Sequence, residues 1–146
     1  MTDPKQTLLV TRIVWGALLA GQLMFLGVIV AMGRVQAVSA PLVDPQRMLF
    51  LVSAAFTVVA IGMGYFVRMQ TYKAGWQGDA IRPASYFTGN LLLLALLEGA
   101  SLLALVVTML HGALWPTIAP AVVAMMMQVV NFPNGRAMEP ASPRLQ

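Results

Sequence analysis

One carboxylate in this sequence sits where carboxylates are rarely tolerated. Glu98 is the single formal charge in the 53 residues from Pro83 to Gly135, a stretch made mostly of Leu, Ala, Val, Met and small polar residues. An acid in such a setting has two kinds of chemistry open to it. It can bind and release a proton or Na⁺, or it can stay neutral and hold a neighbouring helix by hydrogen bonding. Ser101, three residues on, falls on roughly the same helical face. Gln22 is the main polar side chain near the middle of an earlier apolar run. With runs starting near residues 9 and 85, Gln22 and Glu98 lie about 13 residues, or roughly 20 Å, from the same side. Glu98, Gln22 and Ser101 are therefore the candidates for an ion site or an interhelical polar contact, and a Gln22–Glu98 hydrogen bond is expected.

Little other chemistry is available. The chain has no Cys, which excludes thiolate nucleophiles, disulfides and zinc–thiolate sites. His111 is the sole histidine, so paired histidine ligation of haem is excluded. Asp3, Asp44, Asp79 and Glu139 are dispersed, and no metal site is expected from them. There is no phosphate-binding glycine loop, GxSxG elbow, HExxH or GxGxxG. No catalytic residue and no cofactor is expected, and the chain is not read as an enzyme. The net charge of +4 comes from scattered residues that form no basic stripe, so no nucleic-acid partner is expected.

The elements that must position Glu98 are membrane spans. Apolar residues make up 59% of the chain and charged residues 10%, against roughly 45–50% and about 25% in soluble domains. A soluble fold of 146 residues could not bury that much apolar surface, so lipid is the expected partner. Ile13 to Gly33 gives 21 residues without a charge, and Met48 to Val67 gives 20. The long stretch around Glu98 is broken near His111, Gly112, Trp115 and Pro116. The predicted fold is all-α and polytopic: four transmembrane helices, roughly 9–33, 48–68, 85–110 and 114–132, arranged as two antiparallel hairpins in one domain, 1–132. Pro116 is expected in a first helical turn and Pro120 at a bend. The Pro-rich end, 133–146, is expected to be a disordered cytoplasmic tail. Val38-Ser39-Ala40 resembles a signal-peptide cleavage site. The apolar core before it is longer than the usual 7–15 residues, and Pro41 follows it, so the first helix is expected to be retained.

Seven of the nine Lys and Arg (Lys5, Arg12, Arg68, Lys73, Arg82, Arg136 and Arg144) fall on one side of this topology, and Arg34 and Arg47 on the other. That bias predicts that both termini are cytoplasmic, and the expected location is a bacterial inner membrane. Tyr65, Tyr72, Trp76 and Tyr86 are expected as an interfacial belt on that side, with Trp115 as an anchor opposite. Small residues mark candidate helix-packing positions: Ala17 and Gly21, Ala95 and Gly99, and Gly62 with Gly64. Ordinary packing inside the bundle and contact between copies both remain open for them. Ala17-Leu18-Leu19-Ala20-Gly21 also matches Ala95-Leu96-Leu97-Glu98-Gly99 closely enough to raise a tandem duplication, although such residues are common in membrane helices.

Two resemblances follow from these residues. Arg12-Ile13-Val14-Trp15 leading into Gly21-Gln22-Leu23, with Ala95-Leu96-Leu97-Glu98-Gly99-Ala100 and Asn131-Phe132-Pro133, resembles a group of small, uncharacterised four-helix bacterial membrane proteins. That resemblance implies a fold and no activity. Spans two and three, with Gly62-Met63-Gly64 and then Leu97-Glu98-Gly99-Ala100-Ser101-Leu102-Leu103-Ala104, resemble the proton-translocating ring subunit (subunit c) of rotary ATP synthases. This second resemblance implies an ion-carrying role for Glu98. The glycine repeat is reduced to one GxG, and two further helices flank the hairpin. The expected function is a structural or accessory helical partner in a membrane complex or homo-oligomer, with proton or Na⁺ translocation by Glu98 as the alternative.

Overall fold

The computed structural model describes residues 3–32, 36–39 and 43–139; of 36–39 only the backbone is described. Four α-helices dominate: α1 Pro4–Ala31, α2 Asp44–Ala74, α3 Pro83–His111 and α4 Ala119–Val130. Each has a proline in its first turn, where the missing N–H costs no helical bond. Asp3 caps α1, its carboxylate accepting from the Lys5 N–H at 2.9 Å. Gly112 ends α3 with φ 77°, a left-handed position that favours glycine. Short strands join the helices. Strand β1, Gln36–Ser39, pairs in parallel with β4, Ala113–Trp115, while β2, Trp76–Gln77, and β3, Ala80–Ile81, form a hairpin between α2 and α3.

Helices α1, α2 and α3 are each long and apolar enough to cross a membrane. The fourth is not. Its 12 residues extend roughly 18 Å at 1.5 Å per residue, short of a hydrocarbon core of about 30 Å. The expected span 114–132 is therefore cut at its start. Residues 113–115 are tied to β1, and Pro116 lies in the turn ahead of the helix rather than in its first turn. Pro120 begins α4 instead of bending it.

The packing of the helices does not confirm the expected pair of hairpins. Helix α3 is central: α2, α4 and α1 all pack against it, and α1 makes almost no contact with α2. Small side chains mark the points of closest approach, beside larger buried ones such as Leu93, Leu94 and Leu97. Ala60, Ala100 and Ala124 form one buried cluster, and Ala104 and Ala121 join Ile29 and Leu105 in another. With lipid as solvent there is little hydrophobic drive between helices, so close van der Waals approach has to hold them. The halves still share an order, since helix, strand and helix recur as α1–β1–α2 and α3–β4–α4.

The end of the chain is not loose up to Glu139. Arg136–Met138 forms a 3₁₀ turn, and Met138 is buried with Ile81 and Tyr86, against Leu8 and Tyr72. Gly135, at φ 81°, donates its N–H to the Tyr86 hydroxyl at 3.1 Å. Leu8 lies against that glycine so closely that an added Cβ would come within 2.9 Å of it. The expected disorder of 133–139 is thus replaced by docking, because one apolar residue and one left-handed glycine are enough to seat the segment. Residues 140–146, like Arg34, Ala40 and Pro41, lie outside the described residues.

Two predictions follow from this packing. A Cβ at Gly64 would approach Leu93 Cδ1 to 2.6 Å, while one at Gly62 meets nothing within 4 Å. Gly64→Val should therefore destabilise the bundle by about 1–3 kcal/mol, and Gly62→Val should leave it nearly unchanged, as read from thermal unfolding in detergent. Truncation after Asn134 removes the Gly135–Tyr86 bond and Met138, and should lower the unfolding temperature measurably. An unchanged temperature would mean the segment contributes no stability.

Candidate functional site

Helix registry sets the level of the polar groups. Ile29 of α1 packs with Ala104 and Leu105 of α3 and Ala121 of α4. Two turns away, toward the end that carries the N-terminus, the same alignment brings Gln22, Glu98 and Gln128 to one depth. The expected match in depth between Gln22 and Glu98 therefore holds, but their expected hydrogen bond does not form. Gln22 is fully buried and donates from Nε2 to Oε1 of Gln128 at 2.9 Å. The reason is helical phase. Gln22 points with Ile29 into the bundle, while Glu98 lies at the edge of the buried face of α3, next to the exposed Ala95 and Gly99. Glu98 is half-buried, and the hydrogen bonds of the described residues do not include it.

The Gln22–Gln128 pair is only half satisfied. Gln22 Oε1 and Gln128 Nε2 have no partner, and neither does the hydroxyl of Ser101, which is fully buried on α3. Ser101 is one turn before Leu105, so it faces the same α1–α4 side of α3 as the glutamine pair. Trp15 adds a bond from its indole N–H to the Gln128 carbonyl at 2.9 Å. The middle of the bundle thus holds a buried, neutral polar cluster, with Glu98 beside it at the surface.

The candidate packing residues separate cleanly. Gly64 is buried against Leu93. Ala17, Gly21, Gly62, Ala95 and Gly99 are exposed, and a Cβ at Gly21, Gly62 or Gly99 would meet nothing within 4 Å. Because α1 and α2 scarcely touch, the outer face of α3 is left open between them. Ala95 and Gly99 lie on that face, and helical phase puts Gly21 on the flank of α1 that borders it. These five residues are not internal packing positions in this chain.

A second polar cluster, which sequence reasoning missed, ties the terminal end together. Arg68 donates from Nη1 to Asn131 Oδ1 at 2.9 Å and from Nε to the Tyr72 hydroxyl at 3.2 Å. Asn131 donates to the Tyr65 hydroxyl at 2.6 Å, and Asn90 to the Tyr72 hydroxyl at 2.7 Å. Arg12 donates to the Pro133 carbonyl at 3.1 Å and lies over the Phe132 ring, which meets Trp15 edge to face at 5.0 Å. The expected belt is therefore divided. Tyr65 and Trp76 are exposed, but Tyr86 is buried and stacks on Tyr72 at 5.9 Å. Trp115 is exposed at the opposite end, as expected. There the His111 ring shares a hydrogen bond with Gln46 Oε1 at 3.0 Å. Among the described residues no three His, Cys, Asp or Glu side chains gather as metal ligands would.

Comparison with known proteins finds no matching family model, no similar curated protein and no similar solved structure. The functional reading therefore rests on this geometry. Gln128 was visible in the sequence as the one amide in Val122–Val130, but its pairing with Gln22 needed the registry of α1 against α4.

The glutamine pair yields a double-mutant prediction. Gln22→Leu or Gln128→Leu alone strands one buried amide, and the double substitution removes both. The coupling between the two sites should be about 0.6 kcal/mol and no more than about 1.7 kcal/mol, the range measured for hydrogen bonds between membrane helices. Strictly additive losses in thermal or denaturant unfolding would show that the bond contributes nothing.

Proposed function

We propose that this chain is an integral membrane protein that serves as a helical partner in a membrane assembly, as a homo-oligomer or beside other membrane subunits. One observation carries the reading: Glu98, level with the middle of α3, opens at the surface between exposed small residues instead of being satisfied inside the bundle. A carboxyl facing hydrocarbon is unfavourable by a few kcal/mol, and a second helix seated on Ala95 and Gly99 would cover it. Small residues permit the close backbone approach that such a contact requires. The bias of Lys and Arg supports an inner-membrane location with both termini cytoplasmic.

The alternative is translocation of a proton or Na⁺. It is favoured by the same exposure, since an ion-carrying carboxyl must open to a neighbour or a water path to load and unload. Here Glu98 would act together with the polar cluster of Gln22 and Ser101 at its level.

The absence of Cys makes a direct test possible. Gly99→Cys, oxidised in native membranes, should give a crosslinked dimer. If the partner is another subunit, the protein should instead run in mild detergent as a complex larger than one copy. Met126→Cys, exposed on α4, serves as the control and should stay monomeric. A protein that is monomeric in mild detergent and does not crosslink through residue 99 would overturn the assembly reading. The two readings separate at Glu98→Gln: an amide can still hydrogen-bond an approaching helix, so assembly should survive, but it cannot release a proton. Proteoliposome flux of protons or Na⁺ that is present in the wild type and lost in Glu98→Gln would establish the alternative.

A further inference from the structure

Helix α2 carries a second surface feature that the assembly reading does not use. Toward its end, Tyr65, Met69 and Tyr72 recur at the spacing of one helical face, with Arg68 and Lys73 beside them and Trp76 just beyond, in β2. Together these six residues line an open groove of about 380 Å³. Tyr65, Met69, Lys73 and Trp76 are exposed. The groove runs along a helix long and apolar enough to cross a membrane. Arg68 is six residues from the helix end at Ala74, or roughly 9 Å along the axis.

Arg68 is fixed in place by neutral groups. Its two hydrogen bonds go to the Tyr72 hydroxyl and the Asn131 amide oxygen, and its guanidinium lies 5.2 Å from the Tyr72 ring centre. Asn131 is itself held by the Met127 carbonyl at 2.7 Å and by Tyr65. A guanidinium has five N–H donors, so the bonds to Tyr72 and Asn131 leave donors unused and the charge uncompensated by either acceptor. No carboxylate lines the groove. Lys73 adds a second cation at the end nearer the loop, and Trp76 and Tyr65 have the amphipathic character of side chains found at headgroup level.

We propose that this groove binds the headgroup phosphate of an anionic glycerophospholipid, in the leaflet at the end bearing both chain termini. Arg68 and Lys73 meet the phosphate, since guanidinium and ammonium groups are its natural partners. Met69, Tyr65 and Trp76 cover the glycerol and the first part of the acyl chains. A lipid is preferred to a free anion because the groove is walled by apolar and aromatic surface and lies along a helix long and apolar enough to cross a membrane.

The test is native mass spectrometry of the full chain released from detergent, with phosphatidylglycerol or phosphatidylcholine of the same acyl chains added. Phosphatidylglycerol should be retained in preference to phosphatidylcholine. Lys73→Gln, at an exposed position, should reduce that retention roughly fivefold. Arg68→Gln should reduce it at least as much, and Arg47→Gln, exposed at the opposite end, should leave it unchanged. Should Arg68→Gln fold poorly because Asn131 loses its partner, Lys73→Gln alone decides. Equal retention of the two lipids, or wild-type retention in Lys73→Gln, would overturn the proposal. So would displacement of phosphatidylglycerol by inorganic phosphate at equal concentration, which would mark a plain anion site.

Discussion

Small residues at particular meeting points let α1, α2 and α4 close on a central α3 that also buries large ones, Leu93, Leu94 and Leu97 among them. Ala60, Ala100, Ala104, Ala121 and Ala124 are each no more than 2% exposed, and Gly64 and Gly89 admit Leu93 and Tyr72 against bare backbone. Association of helices in lipid draws on van der Waals contact, and contact falls steeply with separation. A methyl group is therefore the right size for these positions. Larger side chains would push the backbones apart and lose the contacts that replace the hydrophobic effect. The larger residues Ile29 and Leu105 fill the wider space toward the β1–β4 end, where the helices pass into strands.

Close approach imposes a second condition, which is that polar groups between the helices must find partners there. Most do so locally. Thr11, Thr57, Thr71, Thr108 and Thr117 each return their hydroxyl to the carbonyl four residues before, so they make no demand on a neighbouring helix. Gln22 and Gln128 are too long for that and meet each other instead. Each is left with one unpaired atom, and Ser101 with another. These three groups include a carbonyl acceptor, an amide donor and a hydroxyl that can serve as either. They lie in the only region of the bundle middle where α1, α3 and α4 all bring polar side chains, among the described residues.

How much of this was legible in the sequence depends on whether the signal was local. Helices α1 and α2 follow from runs of about 20 uncharged apolar residues, and α3 from the long apolar stretch whose one charge is Glu98. The start of α4 was not legible, because Trp115 and its neighbours are held by pairing with β1, some 76 residues earlier by the Ser39–Trp115 registry. The seating of 133–139 was hidden for the same reason: Met138 and Gly135 read as isolated residues in a Pro-rich tail until Tyr86 and Leu8 are placed beside them. For the site, sequence spacing gave depth but not phase. Gln22 and Glu98 do share a level, yet which of them looks inward depends on where α1, α2 and α4 sit around α3. The same gap explains the small residues. A small-xxx-small pair identifies a smooth face, and only the bundle shows that the smooth faces of Ala17–Gly21 and Ala95–Gly99 are turned outward.

The distribution of satisfied and unsatisfied groups then separates scaffold from site. At the terminal end, Arg12, Arg68, Asn90, Asn131 and three tyrosines form bonds that cross from helix to helix and to the chain end. Those bonds tie α2, α3 and the segment after α4 to one another and set their relative phase. Fixed phase in turn holds Glu98 at the border of the open face of α3, where rotation of the helix by one residue would bury it next to Ser101 or turn it fully to lipid. At that border Glu98 is half-buried and takes part in none of the hydrogen bonds of the described residues. On the reading proposed above, an approaching helix or an ion would offset the cost of an acid in hydrocarbon. The flat surface of Ala95 and Gly99 on either side is what an approaching helix would need.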